Sequence, residues 1–181
     1  MITLNAHTVF QSVLADAMRL DQYAYIMNTF RNTDVSTDSV YQKTFNAFYV
    51  VRCDENWRRE YYALMEQCKT APHTFEEILK AMHSFSGRVE ASYASKLLAT
   101  IDSSYPIWDQ YVLKNLGVKD RKGFRTIEGT VDAYEQIRGW YADYLGTDEA
   151  KENIGIFDRE LPDYAWISDL KKIDFMLWKM R

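Results

Sequence analysis

Throughout this chain the apolar residues recur every three or four positions, and no stretch alternates apolar and polar residues as a half-buried strand would. That regularity confines the chain to an all-α fold. Ala94, Leu97, Leu98 and Ile101 fall on a single helical stripe. Near the N-terminus, Val9, Val13, Ala17 and Leu20, then Tyr23, Ile26, Met27 and Phe30, keep the same period, as one helix or as two broken near Asp21.

Punctuation between the stripes is equally regular. Asp38 or Ser39 can cap a helix carrying Tyr41, Phe45, Phe48 and Val51, and Asp54 one carrying Trp57, Tyr61, Leu64 and Cys68. Thr74 with Glu77 forms a capping-box pattern ahead of Phe75, Ile78, Leu79 and Met82, and that helix stops at Ser86-Gly87. Pro106 stands where a new helix would open. A long helix with Ile127, Val131, Tyr134, Ile137, Tyr141 and Leu145 inward precedes Gly146, and Thr147 to Glu149 starts another. Asp163 can cap a last helix with Trp166, Leu170, Ile173, Leu177 and Met180 on its face, leaving Lys171, Lys172 and Asp174 on the polar side.

At 181 residues the chain can bury a sizeable core, as a single all-helical domain over 1–181 or as two lobes sharing a core. Its 13 Tyr, 9 Phe and 5 Trp suit helical faces packed with large rings. Cys53 and Cys68, fifteen residues apart, suggest neither a metal site nor a disulfide framework, and both read as small apolar residues on helices in a reducing cytoplasm. The opening MITLNAHTVF lacks a basic start and an apolar core, so it is not read as a signal peptide. No apolar run approaches the roughly 18 residues of a membrane span.

Several chemistries drop out on spacing alone. His7, His73 and His83 share no metal-ligand spacing, so neither a metal nor another cofactor is expected. Nucleotide-binding glycine loops and the serine-hydrolase elbow are absent. Glu76, Glu77, Asp132, Glu135, Asp158 and Glu160 fall where solvated helix faces would carry them. Net charge is −4, yet Arg88 to Arg125 holds seven basic residues against four acids, so that segment is +3 and the remainder −7. Within it Lys119, Arg121, Lys122 and Arg125 form a basic loop.

One stretch also resembles a known family. Tyr93-Ala-Ser-Lys96-Leu-Leu98, then Tyr105-Pro-Ile-Trp-Asp109, then Val112 and Leu116-Gly117, is similar to the helix-hairpin-helix DNA glycosylase superfamily, nearest a divergent branch related to the 8-oxoguanine glycosylase-like proteins. The closing Ile173 to Trp178 is similar to the last helix of that branch. Clear likeness covers about thirty residues. The resemblance implies a two-lobed helical bundle that excises a damaged base from duplex DNA by hydrolysing its N-glycosidic bond. It implies Asp109 as the catalytic carboxylate and Lys96 as the nucleophile of members that also cleave the backbone. A carboxylate there would stabilise positive charge on the sugar or activate an attacking water or amine, once the base is extruded. Tyr93, Tyr105 and Trp108 are the nearby rings on which a base could stack.

The hairpin of that superfamily is glycine-rich, and its backbone amides grip a phosphate. Here Ser86 to Tyr93 holds one glycine and an acid, Glu90. Arg88, Ser92 and the basic loop Lys119, Arg121, Lys122 and Arg125 are the side chains that would grip DNA instead. The rival from another class is a non-catalytic helical module that binds DNA or protein and has lost the hairpin's grip.

Overall fold

The computed structural model describes residues 17–115, 117 and 123–179. Among these the chain is all-α, with nine α-helices, two short 3-10 turns and no strand. The first helix, α1, spans Ala17–Phe30. It runs unbroken through Asp21 and buries Leu20, Tyr23, Ile26 and Phe30. Val9, Val13 and Met180 lie outside the described residues.

The next four helices begin and end largely where local chemistry says they should. Asp38 accepts the Val40 and Tyr41 N–H groups at 2.8 Å each and opens α2, Ser39–Tyr49. Asp54 accepts the Trp57 N–H at 2.9 Å and opens α3, Glu55–Gln67. Thr74 and Glu77 complete a reciprocal capping box at α4, Phe75–Ser86, which ends at Gly87 with φ of 66°. Then α5, Ala91–Ile101, has Ala94, Ser95, Leu97, Leu98, Ala99 and Thr100 all buried. It contacts both α4 and α1.

After α5 the reading of Pro106 needs correction. The helix does not open at Pro106 but at Gln110, as α6, Gln110–Asn115. Residues 106–109 are irregular, and long-range bonds pin them instead. The Tyr134 hydroxyl donates to the Pro106 carbonyl at 2.7 Å, and the Trp108 N–H donates to Ser95 Oγ at 2.8 Å. A proline without an N–H suits such a segment as well as it suits a helix start. Following a 3-10 turn at Gly123–Arg125, α7 spans Ile127–Leu145 and α8 spans Asp148–Glu160. Thr126 and Thr147 cap them through the Gly129 and Ala150 N–H groups.

The last helix, α9, spans Asp169–Lys179 and packs on α6, α7 and α8. Three expectations fail here. Ser168, not Asp163, stands before it and accepts the Lys171 N–H on its hydroxyl; Asp163 belongs to the 3-10 turn Pro162–Tyr164. Trp166 precedes the helix, is 49% exposed and stacks on Tyr23. Lys171, Lys172 and Asp174 are not on a polar side at all, being 6%, 2% and 5% exposed. The cause lies in their neighbours. Leu170, Ile173, Phe175, Met176 and Leu177 are also buried, so no solvent face is left from 170 to 177.

Those charges are buried in compensated form. Lys171 Nζ donates to Asp174 Oδ2, and the Tyr141 hydroxyl donates to the other carboxylate oxygen at 3.2 Å. Lys172 Nζ lies 2.7 Å from Asp158 and 3.3 Å from Asp169. The cysteine reading needs a smaller correction: Cys53 lies between α2 and α3, and Cys68 follows α3 as its C-cap, both as free thiols.

Removing one partner of a buried pair strands the other charge away from water. Asp174→Ala is expected to lower unfolding stability by about 3–5 kcal/mol in urea titrations. Replacing Lys171 and Asp174 together by Met and Leu is expected to cost less than Asp174→Ala alone.

Candidate functional site

The way α2 ends creates the site. Its C-cap is Val50, held at φ 54° in the left-handed region. A β-branched residue there is a backbone outlier, and such outliers concentrate at functional sites. The stop leaves the last carbonyls of α2 without helical partners, and two cations answer them. Arg19 of α1 donates to the Ala47 carbonyl at 3.3 Å and also to that of Phe48. Lys96 of α5 donates to the Tyr49 carbonyl at 3.1 Å. Cations suit this end of a helix because its dipole is negative there.

Beside this junction lies a half-enclosed cavity of about 450 Å³. One wall is the end of α2, with Phe48, Tyr49 and Val50. Arg52, from the link to α3, Arg19 and Lys96 supply positive charge. The segment after α5 contributes Ile107, Asp109 and Gln110. The last helix, α9, contributes Lys171, Asp174, Phe175 and Trp178. The lining thus carries four cations and two carboxylates, so its formal charge favours an anionic ligand.

Lys96 and Asp109, thirteen residues apart, are therefore brought to one cavity. Burial is the main cause that lowers the Lys96 pKa from 10.5 to about 8. The Asp109 carboxylate pulls it back up, and the Lys171 ammonium pushes it down. Near neutral pH an appreciable minority of Lys96 is thus a free amine, the form that attacks carbon. Its ammonium form is cushioned by the Tyr93 ring at 5.0 Å and the Tyr49 ring at 5.8 Å. Asp109 is half-buried directly before α6, and its carbonyl accepts the Leu113 N–H at 2.9 Å.

The other expected residues lie elsewhere. Arg88 is outside the cavity lining, its side chain 79% exposed and 3.5 Å from Glu90. Ser92 is half-buried, and its carbonyl accepts the Ser95 hydroxyl. Arg125 is exposed in the 3-10 turn. Lys119, Arg121 and Lys122 lie outside the described residues. None of the three stacking rings lines this cavity. Trp108 is buried against Phe124 in an edge-on contact, and Tyr93 packs on Trp57 and Tyr61. Tyr105 lies under Arg138 and lines a second, more open hollow of about 580 Å³. Phe48, Tyr49, Phe175 and Trp178 are the rings that line the cavity with Lys96.

Arg19, Arg52, Lys171 and Asp174 were missed as site residues. For Lys171 and Asp174 a signal existed in the density of apolar residues around them, which leaves α9 no polar stripe. Arg19 and Arg52 carried none, because only the packing of α1 and α2 brings them to the cavity. Among the described residues no cluster of His, Cys, Asp or Glu could hold a metal ion, and no helix is long and apolar enough to cross a membrane. No family model, curated protein or solved structure matches the chain.

Burial of Lys96 has a consequence for stability. Between pH 8 and 10.5 the unfolded chain holds a proton on this lysine that the folded chain has released, so the contribution of Lys96 to stability rises with pH across that window. The buried tyrosines act in the opposite sense from within that window upward, because an unfolded phenol ionises around pH 10. Burial holds Tyr49, Tyr61 and Tyr141 protonated in the fold, while their unfolded phenols ionise. Between about pH 7.5 and about pH 9.5 the change in unfolding stability, read by urea titration, is expected to be more positive in wild type than in Lys96→Met.

Proposed function

We propose that the chain is a DNA base-excision protein of the helix-hairpin-helix glycosylase kind, with a two-lobed bundle, that hydrolyses the N-glycosidic bond of a damaged base. The observation that carries this reading is that Asp109 and Lys96 line one half-enclosed, aromatic-walled cavity. Its volume of about 450 Å³ falls within the rough 300–1,000 Å³ of small-molecule sites, enough for an extruded base but not for a duplex. Asp109 is the carboxylate that would stabilise positive charge on the sugar as the base departs, or take a proton from the attacking water. Lys96, with its lowered pKa, is the amine that would instead attack the same carbon and expel the base. The imine formed on opening of the sugar would let the 3′ phosphate leave by β-elimination, giving backbone cleavage as a second activity. The free thiols Cys53 and Cys68 fit a reducing compartment such as the cytoplasm.

One observation favours the rival module that binds without cleaving. Arg88, in the hairpin that would grip duplex DNA, is paired with Glu90 on a stretch with a single glycine. The two readings part in one experiment, a screen of duplexes carrying different damaged bases. The glycosylase reading expects base release from at least one duplex and a loss of about 10²-fold or more in Asp109→Asn. Retardation of the duplexes without base release from any of them is the result expected of the module. Equal activity in wild type and Asp109→Asn would overturn the role given to Asp109.

A further inference from the structure

Four cations line the cavity, and three of them are already engaged within the fold. Lys171 is matched by Asp174, Arg19 holds the carbonyls of Ala47 and Phe48, and Lys96 donates to that of Tyr49. Arg52 differs. Among the described residues its guanidinium makes no hydrogen bond or ion pair to a protein group. It is also one of three exposed members of the lining, with Val50 and Gln110, so it stands at the mouth. Its backbone position is fixed by the abrupt end of α2 at Val50, two residues earlier.

We propose that the cavity binds a nucleoside monophosphate unit, with Arg52 gripping the phosphate at the mouth and the ring lying inward against Phe175 and Trp178. A guanidinium presents a planar fork of donors that fits two phosphate oxygens at once. The formal charge of the lining draws a dianion inward, and the apolar walls concentrate that field. Phe175 and Trp178 are aromatic rings of the lining, so they offer apolar surface for a planar ring to pack against. That the ring-bearing phosphate is a nucleotide, and no other such compound, rests on the base-excision reading. The inference moves the phosphate contact from the glycine-poor hairpin at Arg88 to the turn after α2. Binding of this kind requires no duplex and no bond cleavage.

The test is calorimetric titration of the full chain at low salt with deoxyadenosine 5′-monophosphate, deoxyadenosine and inorganic phosphate. The monophosphate is expected to bind at least about tenfold more tightly than deoxyadenosine, the worth of one charged, bidentate contact, and more tightly than inorganic phosphate, which lacks the ring. Arg52→Ala is expected to lose about tenfold or more on the monophosphate, with Arg52→Lys between them and Arg88→Ala unchanged. Arg52 is exposed, so an unaltered melting curve of the variant will show that the fold is intact. Equal binding by wild type and Arg52→Ala overturns the proposal, as does the absence of monophosphate binding by wild type. Phosphate binding as tightly as the monophosphate overturns the role given to the rings. Normal binding with no base release from any duplex supports this inference and counts against cleavage, so the two failures can be told apart.

Discussion

The end of α2 is the junction on which the site depends. Val50 halts the helix in a conformation that β-branched residues avoid, and the orphaned carbonyls must be met. Arg19 crosses from α1 and Lys96 from α5 to meet them. Three helices are tied together by two cations, and the space beside the knot is the cavity. Arg19 is held further by the rings of Phe48 and Trp178, at 6.0 Å and 5.4 Å. The contacts that end the helix and the contacts that shape the site are the same.

Buried charge on α9 lines the same cavity. The Lys171–Asp174 pair, with Tyr141 on its free oxygen, is satisfied within the fold. Replacing it with apolar side chains would cost little stability, as is common for buried pairs. Its effect on Lys96 is electrostatic. The Lys171 ammonium lowers the pKa of Lys96, while the carboxylate of Asp109 raises it. A nucleophilic amine at neutral pH requires that balance between burial, a cation and an anion.

Much of the fold was legible because helix caps are local events. Asp38, Asp54, Thr74 and Thr147 bond to amides two or three residues on, and the sequence places those partners side by side. Stripes such as Ala94, Leu97 and Leu98 are buried for an equally local reason. The misreadings arose where distant packing decides. Arg19 meets carbonyls 28 and 29 residues away, and Pro106 is held by Tyr134, 28 residues away. Lys171, Lys172 and Asp174 looked solvated because each is charged, yet their helix is covered on every side. Of the residues that line the cavity, Asp109 and Lys96 were singled out through the resemblance, whereas Arg52 and the rings of α9 were not.

Whether Lys96 and Asp109 act as one unit is the central question, and a titration answers it directly. Lysines carrying isotope-labelled methyl groups can be followed by NMR as pH is raised. In wild type Lys96 is expected to titrate near pH 8, and in Asp109→Asn lower still, because the carboxylate that supports its ammonium is gone. A Lys96 that titrates with the surface lysines, at the same pH in both proteins, would contradict the shared site.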